Sequence, residues 1–549
     1  MKNNIAQRLV ENAKLFPSKE AVSFPKYDKT KDQYTYSSLT FKELDQLSNK
    51  FAFSLREMGL KKGDKTLLFL RPSLEFSAMT FALFKLGLIP VFIDPGMGKD
   101  NLLKCIKDCR PVGLIAEKEV HLIKLFFKSS FKSIKYNVTT RNWSFGKTKT
   151  LKAMKERASV QFEAAEVNEE ETAAILFTSG GTGAPKGVVY THKIFNAQTD
   201  ILKELFNLTS EDIDLPAFPL FSLFTIAMGM KSSIPDMDPS KPALCDPKKL
   251  YQNILDNSPT FVAGSPAIWE RVADYCLEHN LKLPSIKYLV MFGAPVSVAL
   301  HRKFKSILTN GTTFTPYGAT ESLPVSNISG QYILEHTASL TEIGKGTCIG
   351  KAVPFSEVKI IKITDKVISN IDEAQILPAF EVGEIIIKGP MVTKEYLDLP
   401  EKTAEAKISD GDSLWHRMGD MGYLDTEGLL WFLGRKAHRV ETINALMTPI
   451  SCEAIFNMHP QVKRSALVGL GKLGRQTPAI VIERKDGKYL LGKERNIFES
   501  ELLFLASKYE HTAGIKKIYL SQQFPVDVRH NIKIDRKKLK EEIEEYEKN

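Results

Sequence analysis

Residues 65–93 read KTLLFLRPSLEFSAMTFALFKLGLIPVFI, in which two short apolar runs flank a longer one. We interpret Lys65 to Leu70 as a buried strand, Leu74 to Leu86 as a helix and Ile89 to Ile93 as the next strand. Charged residues and prolines interrupt the stretch, so it lacks the roughly 20 uncharged residues that a membrane span requires. A strand, a helix and a second strand in this order predict a parallel sheet covered by helices.

The same alternation recurs along much of the chain. Apolar runs at Ala173–Phe177, Ile286–Phe292 and Glu384–Ile387 are further predicted strands. Thr40-Phe-Lys-Glu43 has the spacing of a capping box at the start of a helix. We therefore predict an α/β fold with a large N-terminal domain of mixed, largely parallel sheets flanked by helices, and a smaller α+β C-terminal domain.

Length and composition agree with this architecture. The chain has 549 residues, of which 43% are apolar and 26% charged, and this excludes the collagen-like, disordered and disulfide-scaffold classes. At about 150 residues per domain, the length suggests two to four domains. We place a boundary after Arg435, between an N-terminal domain of residues 1–435 and a C-terminal domain of residues 436–549. Six scattered cysteines and an N-terminus without an apolar signal segment predict reduced thiols and a cytoplasmic location.

Basic residues are concentrated in one part of the chain. Residues Lys99–Arg157 contain 15 Lys and Arg against 5 Asp and Glu, a surplus equal to the net charge of +10 of the whole protein. A solvated surface explains this surplus most simply, and peripheral contact with anionic lipid remains open. Because aromatic residues do not alternate regularly with the basic ones, binding of nucleic acid by base stacking is not predicted.

A glycine-rich segment follows the predicted strand at Ala173–Phe177. It reads Ala174-Ile-Leu-Phe-Thr-Ser-Gly-Gly-Thr-Gly-Ala-Pro-Lys-Gly-Val-Val189. Glycines allow backbone amides to turn toward an oxyanion, hydroxyl groups add donors and a lysine adds positive charge. The segment is not a Walker A loop, because Gly187 follows the lysine where that loop has Ser or Thr. We predict a phosphate-binding loop made of Thr178, Ser179, Gly180, Gly181, Thr182, Gly183 and Lys186.

This segment resembles the phosphate-loop signature of the AMP-forming acyl-adenylate superfamily, which includes acyl-CoA synthetases, adenylation domains of peptide synthetases and luciferases. Further motifs of that superfamily follow in the same order, and the resemblance implies ATP and Mg²⁺ as cofactors. It implies that the nucleotide is contacted by Gly293, Ala294, Pro295, Tyr317, Gly318, Asp420 and Arg435. In the Tyr317-Gly318-Ala-Thr-Glu321 motif, it further implies a catalytic phosphate contact from Thr320 and a catalytic, magnesium-holding role for Glu321.

The last motif of the superfamily aligns with Val528-Arg-His-Asn-Ile-Lys-Ile-Asp-Arg536 and places Lys533 on the catalytic lysine. A carboxylate that attacks an α-phosphate approaches another anion, and two unit charges about 4 Å apart repel by about 4 kcal/mol at an effective dielectric of about 20. A lysine between the two groups cancels this repulsion, and magnesium does the same for the leaving pyrophosphate. The resemblance therefore implies a C-terminal domain that carries Lys533 on a hinge.

Several positions depart from the superfamily pattern. Ala437 stands at the hinge position, and Glu441 and Asn444 replace a lysine and a glycine. In thioester-forming members, the loop between that lysine and glycine helps to form the channel for the thiol of coenzyme A. The replacements therefore argue against the use of coenzyme A. Ser222 also replaces a histidine that is common in the superfamily.

The departures resemble one subgroup, the β-lactone-forming enzymes of bacterial long-chain olefin biosynthesis. The similar segments are Leu215–Phe224, Ser233–Pro239, Gly434–Val440 and Phe524–Asn531. In that subgroup a 2-alkyl-3-hydroxy acid is adenylated, and its β-hydroxyl then displaces AMP to close the ring by a proximity effect. The resemblance implies ATP-dependent activation of a long-chain 3-hydroxy fatty acid, with hand-over to other enzymes of the pathway. The alternatives are a fatty acid–CoA ligase and, in another class, a protein that binds membrane or nucleic acid through Lys99–Arg157.

A long acyl chain requires an apolar pocket. Phe218, Phe221, Phe224 and Met228 recur near helical spacing and are candidates for its wall. Such a stripe belongs to a hydrophobic core more often than to a pocket, so both interpretations stay open.

Overall fold

The computed structural model describes residues 3–142, 148–178, 184–525 and 534–547. Two seven-stranded sheets and a six-stranded antiparallel sheet order much of the chain before Arg435, and a three-stranded sheet follows it. The strands, in chain order, are β1 Glu20–Asp28, β2 Gln33–Thr40, β3 Lys65–Phe69, β4 Ile89–Ile93, β5 Gly113–Ala116, β6 Tyr136–Thr139, β7 Lys149–Thr150, β8 Thr172–Thr178, β9 Lys186–Thr191, β10 Ile213–Pro216, β11 Lys231–Ser233, β12 Phe261–Gly264, β13 Tyr288–Met291, β14 Thr312–Phe314, β15 Tyr317–Ala319, β16 Ser322–Asn327, β17 Thr347–Cys348, β18 Lys351–Ala352, β19 Glu357–Ile361, β20 Gly383–Lys388, β21 Lys407–Asp410, β22 Ser413–Leu424, β23 Leu430–Arg435, β24 Val440–Glu441, β25 Leu446–Met447, β26 Val462–Leu470, β27 Thr477–Arg484 and β28 Lys517–Ser521.

Helices cover the sheets and connect the parallel strands. The α-helices, in chain order, are α1 Ala6–Leu15, α2 Phe41–Met58, α3 Leu74–Leu86, α4 Lys99–Cys109, α5 Lys118–Phe126, α6 Leu151–Glu156, α7 His192–Leu205, α8 Phe221–Ala227, α9 Pro247–Asn257, α10 Pro266–Glu278, α11 Val298–Ile307, α12 Gly330–Tyr332, α13 Ala338–Glu342, α14 Pro400–Ala406, α15 Pro449–Asn457, α16 Gly492–Ser507, α17 Glu510–Ala513 and α18 Arg536–Tyr546.

Residues 65–93 lie at the centre of one seven-stranded sheet. Its order is β7-β6-β5-β3-β4-β8-β9, and neighbouring strands are parallel except for the hairpin of β8 and β9. The predicted helix is confirmed as α3 with the same bounds. Ser73 accepts a hydrogen bond from Phe76 N at 3.1 Å at its start, and Gly87 takes φ +70° at its end. The capping box of Thr40 and Glu43 is also present.

The second seven-stranded sheet places two predicted nucleotide-binding segments beside each other. Its order is β14-β13-β12-β10-β11-β1-β2, with only β1 and β2 antiparallel. The predicted strand at Ile286–Phe292 is confirmed as β13, which is a parallel neighbour of β14. The carboxyl ends of β13 and β14 therefore lie at one edge of the sheet, the edge at which open α/β sheets bind ligands.

The predicted strand at Glu384–Ile387 exists as β20, but its neighbours are antiparallel. It belongs to the sheet β17-β23-β22-β20-β19, in which β21 pairs with β22. Short turns join β21 to β22 and β22 to β23, without the long crossover that a parallel pair requires. The N-terminal part is therefore mixed, as predicted, although its parallel strands end before this sheet.

Residues beyond Arg435 have a sheet and a core of their own. Strands β26, β27 and β28 pair in that order, first antiparallel and then parallel. Two buried apolar clusters consist only of residues beyond Arg435, and helices α15, α16 and α18 contribute Phe456, Phe498 and Leu539 to them. Helices packed on this small sheet form the predicted α+β arrangement. The domain boundary after Arg435 stays a prediction.

All six cysteines are buried free thiols. Burial raises the pKa of Cys109 to about 12 and that of Cys276 to about 11, so both stay protonated at neutral pH.

In the described part of the chain, no helix combines the length and the apolar character needed to cross a membrane.

Candidate active site

The segment predicted to contact adenine follows β13. Gly293 adopts φ +88°, a conformation that favours glycine, and Ala294 and Pro295 continue the turn. Tyr317 and Gly318 begin β15, shortly after the end of the neighbouring β14. The structure therefore brings these two predicted segments to the same edge of the sheet.

Tyr317, Asp420 and Arg435 form one bonded group. The Tyr317 hydroxyl donates to Asp420 Oδ2, and Asp420 Oδ1 lies 3.1 Å from Arg435 Nη1. Arg435 Nη1 also donates to the Met418 carbonyl at 3.4 Å. Because β22 and β23 pair residue 420 with residue 435, the antiparallel sheet fixes this geometry.

The Asp420 carboxylate is buried but incompletely satisfied. Its side chain is only 4% exposed. Burial raises the pKa of this carboxyl above its ordinary value, and the Arg435 charge opposes the rise. Among the described residues, Oδ1 accepts no hydrogen bond of suitable geometry. A buried acceptor in this state fits a ligand hydroxyl such as those of a ribose.

Thr320 and Glu321 form the turn between β15 and β16. The Tyr396 hydroxyl donates to Glu321 Oε1 at 2.7 Å. The Thr393 amide donates to the Glu321 carbonyl at 2.9 Å, and Tyr190 donates to the Thr320 carbonyl at 2.6 Å. These bonds from two other segments hold the Glu321 carboxylate in one orientation.

A single oriented carboxylate fits a magnesium ion that is bound together with a phosphate ligand. Within residues 3–142, 148–178, 184–525 and 534–547, no group of three or more His, Cys, Asp and Glu side chains could hold a metal. Mg²⁺ commonly takes one or two carboxylates and completes its shell with water and substrate phosphates. The environment of Glu321 therefore fits Mg²⁺ that arrives with a nucleotide.

Two lysines on separate strands contact the residues that bond to Glu321. Lys186 Nζ lies 4.3 Å from the centroid of the Tyr396 ring, and the half-buried Lys407 donates to Thr393 Oγ1 at 3.4 Å. Burial lowers the pKa of Lys407 to about 7, while the Glu321 charge opposes this shift and the Lys186 charge adds to it. Positive charge is thus concentrated around the predicted phosphate-binding and metal-holding residues.

The depressed pKa of Lys407 predicts a pH-dependent gain in stability when the charge is removed. Burial disfavours the protonated form in the folded state, so the penalty is fully present below about pH 7 and disappears as the pH rises toward the unfolded pKa of 10.5. Lys407→Met should raise the melting temperature of the ligand-free protein, and more at about pH 6 than at about pH 9. Scanning calorimetry at both pH values measures the effect.

The matched control is Lys402→Met in the preceding helix, where the lysine side chain is 52% exposed. This variant should melt like the parent protein at both pH values. An equal change in melting temperature for Lys407→Met at both pH values would show that its charge is not disfavoured by folding.

The predicted phosphate loop joins β8 to β9. Thr178 ends β8 and pairs with Lys186 at the start of β9. The sheet therefore holds the two ends of the predicted loop beside each other. The remaining loop residues, Ser179, Gly180, Gly181, Thr182 and Gly183, lie outside the described residues, as does Lys533. Their roles stay predictions.

Two ion pairs flank Ala437, the predicted hinge position. On one side, Lys436 Nζ lies 3.0 Å from Glu384 Oε2, a carboxylate that is 1% exposed. On the other side, Arg439 Nη2 lies 2.5 Å from Asp365 Oδ2. Arg439 also pairs with Glu441 at 2.6 Å. The glutamate that replaces the expected lysine is therefore already neutralised by a neighbouring arginine.

The chain is anchored again shortly after Lys533. Arg536, at the start of α18, makes two bonds of 2.7 Å to the Glu453 carboxylate on α15. Glu453 also accepts from Leu467 N at 2.8 Å. This ion pair fixes the start of α18 against α15.

The predicted apolar stripe lies mainly in the core. Phe221 and Met228 are buried in a cluster beneath the second sheet, and the half-buried Phe224 packs against the same cluster. Phe218 is also half-buried, and its ring lies 6.1 Å from that of Phe292. The core interpretation therefore holds for Phe221 and Met228, and Phe218 faces Phe292 beside the nucleotide edge.

Three residues of this site were not predicted: Thr393, Tyr396 and Lys407. They lie in the loop before α14 and at the start of β21, far along the chain from Glu321. No local motif marks them. Thr393 and Tyr396 reach the β15–β16 turn only through long-range hydrogen bonds, and Lys407 bonds to Thr393.

Comparison with known proteins identifies the class. The model of the AMP-binding enzyme family matches residues 9–397. The chain therefore belongs to the AMP-binding enzyme family, and the resemblance to the acyl-adenylate superfamily is confirmed.

The chain is also similar to named members of that family. It is 39% identical to the olefin β-lactone synthetase of Xanthomonas campestris pv. campestris, over 98% of this chain and 96% of the relative. It is likewise 39% identical to the olefin β-lactone synthetase of Stenotrophomonas maltophilia, over 98% and 97% of the two chains. Among solved structures, O-succinylbenzoate coenzyme A synthetase from Bacillus subtilis in complex with ATP and a magnesium ion shares the fold, with a TM-score of 0.73, 22% identity and coverage of 97% and 99%.

Proposed function

We propose that this protein is an ATP-dependent β-lactone synthetase that acts on long-chain 3-hydroxy acids. The observation that carries the proposal is the 39% identity to two olefin β-lactone synthetases over nearly the full length of each chain. The site supports it, because the predicted ribose-binding residues Asp420 and Arg435 pair with each other and Tyr396 orients the Glu321 carboxylate. Two lysines lie close by, Lys186 against the Tyr396 ring and Lys407 on Thr393.

In the first half-reaction, a carboxylate oxygen of the fatty acid attacks the α-phosphorus of ATP. A bond forms between that oxygen and phosphorus, the bond from the α-phosphorus to the bridging oxygen breaks, and pyrophosphate leaves with the electron pair. We assign Asp420 and Arg435 to the ribose and the turn at Gly293 to adenine. Lys533 is assigned to the two anions that approach each other, where its charge stabilises the transition state.

Bound Mg²⁺ would neutralise charge on the leaving pyrophosphate. Glu321 would hold the ion, and Tyr396 keeps that carboxylate in position through the 2.7 Å hydrogen bond. Lys186 and the loop at Thr178–Gly183 are assigned to the phosphates. The solved structure that contains ATP and a magnesium ion supports this cofactor pair for the fold.

In the second half-reaction, the β-hydroxyl oxygen of the same molecule attacks the acyl carbon. The new carbon–oxygen bond closes a four-membered ring, the bond from the acyl carbon to AMP breaks, and the hydroxyl proton is released. Because nucleophile and electrophile belong to one molecule, the step needs no second substrate. The net products are β-lactone, AMP and pyrophosphate.

The alternative is a fatty acid–CoA ligase, in which a thiol displaces AMP. Glu441 argues against it, because this carboxylate pairs with Arg439 at 2.6 Å where thioester-forming members have a lysine. The similarity to a coenzyme A synthetase is also weaker, at 22% identity against 39%.

Mass spectrometry of the products separates the two functions. The protein is incubated with ATP, Mg²⁺ and a 2-alkyl-3-hydroxy fatty acid, with and without coenzyme A. We expect the β-lactone in both reactions, at equal rates. A matched acid without the hydroxyl should stop at the acyl-adenylate. Rapid thioester formation from either acid would contradict the proposal.

We further propose that residues 436–549 move as a unit about Ala437 between the two half-reactions. The separate core beyond Arg435 supports such a unit. We also propose that the reaction takes place in the cytoplasm, where ATP is available. We expect the lactone to be handed over to an enzyme that opens or decarboxylates strained esters.

A further inference from the structure

Helix α5 turns polar as well as apolar side chains toward the protein, since Val120 packs against a buried cluster of the first sheet. Its half-buried polar residues face the protein: His121 Nε2 lies 3.0 Å from the Val138 carbonyl, and Lys124 Nζ donates to Asn137 Oδ1 at 2.7 Å. No residue of the helix is fully buried. Globular proteins normally turn the apolar face of a helix inward, whereas most of the large apolar side chains of α5 are exposed.

The outward face of α5 is apolar. We call it the α5 patch, and it consists of Leu122, Ile123, Leu125 and Phe126, which are 45%, 37%, 62% and 81% exposed. Four exposed large apolar side chains on a helix of nine residues are a concentrated patch. Contiguous exposed apolar surface of this kind marks interaction sites.

Lysines flank the α5 patch along the chain. Lys118 precedes it, and Lys128, Lys132 and Lys135 follow it, all of them exposed. In the described part of the chain, no ion pair engages Lys128, Lys132 or Lys135. The patch lies within residues 99–157, which carry the whole surplus of positive charge. A partner of this surface must therefore be both apolar and anionic.

We propose that the α5 patch docks the protein on an anionic lipid bilayer, with the apolar side chains among the acyl chains and the lysines at the headgroups. An interfacial helix with apolar residues on one side and lysines at its edges binds membranes in this way. A second copy of the chain is a poor partner, because the lysines beside the patch would repel those of the copy. The contact does not depend on which acid the enzyme activates.

Co-sedimentation of the full-length protein with vesicles tests the proposal without ATP or substrate. We expect binding to vesicles of phosphatidylcholine containing phosphatidylglycerol, little binding to phosphatidylcholine alone, and release as the salt concentration rises. Leu125→Ser combined with Phe126→Ser should lower the partition coefficient by about tenfold or more. Lys128→Glu combined with Lys132→Glu should abolish the preference for anionic vesicles.

The matched control replaces Leu491 and Phe504, which are 72% and 66% exposed and lie beyond Arg435, with serine. This variant should bind vesicles like the parent protein. The proposal is overturned if the parent does not bind anionic vesicles, or if the α5 serine variant binds as well as the control. It is also overturned if the serine substitutions convert an oligomer to a monomer on gel filtration, because the α5 patch would then be a protein interface. All of these readouts leave the proposed lactone synthesis untouched.

Discussion

Lys533→Ala should reduce formation of the acyl-adenylate by at least about a hundredfold, because removal of one preorganised donor at a developing charge typically slows a reaction by about a hundredfold to a thousandfold. Repulsion between the attacking carboxylate and the α-phosphate would then be uncompensated. Exchange of labelled pyrophosphate into ATP, driven by the fatty acid, measures this step alone. Binding of ATP, measured by calorimetry, should change little, since Asp420 and Arg435 are intact.

Two further variants show whether the effect belongs to Lys533. Lys537→Ala removes a lysine from the following helix that is 86% exposed, and it should retain full activity. Lys533→Arg keeps the charge but changes its geometry, so it should recover part of the exchange rate. An undiminished exchange rate in Lys533→Ala would remove this residue from the catalytic set.

Asp420→Ala should weaken ATP binding by about tenfold to a hundredfold, because a hydrogen bond to a charged group contributes about 1.5–3 kcal/mol. The carboxylate is 4% exposed, and its Oδ1 is an acceptor without a suitable donor among the described residues. A ribose hydroxyl would supply that donor. Calorimetric titration with ATP and with AMP should show the same loss for both nucleotides, because the contact is to ribose.

Tyr317→Phe distinguishes ribose binding by Asp420 from a purely structural role of that carboxylate. It removes the hydroxyl that donates to Asp420 Oδ2 while leaving the carboxylate and Oδ1 in place. We expect a smaller loss of ATP affinity than for Asp420→Ala. Thermal melting without ligand is measured for both variants. Equal ATP affinity of Asp420→Ala and the parent protein would show that this carboxylate does not bind the nucleotide.

Features encoded by neighbouring residues could be predicted from the sequence. Helix α3 has the predicted bounds because Ser73 and Gly87 cap it, and both lie next to the apolar run that they terminate. The phosphate loop, the Tyr317–Glu321 motif and Asp420 were predicted because each lies in a contiguous pattern, and their roles stay predictions. Pairing of Asp420 with Arg435 follows from a single turn between two strands.

Features that depend on distant contacts could not be predicted. Tyr396 bonds to Glu321, and Lys407 bonds to the neighbouring Thr393, although all three lie far along the chain from Glu321. The antiparallel pairing of the strand at Glu384–Ile387 was not predicted either, since apolar runs look alike in parallel and antiparallel strands. The orientation of α5 could not be predicted either, because its sequence does not show which side of the helix packs against the sheet.

The two ion pairs beside Ala437 differ in how far water reaches their carboxylates. Glu384, the partner of Lys436, is sealed from solvent, whereas Asp365, the partner of Arg439, is 60% exposed. In the proposed movement about Ala437, the pair with Asp365 would break more easily than the pair with Glu384, because water reaches the Asp365 carboxylate although Arg439 is only 7% exposed. Dissolved salt screens exposed charges far more than buried ones, so we expect salt to favour the rearrangement that the proposed movement of residues 436–549 requires.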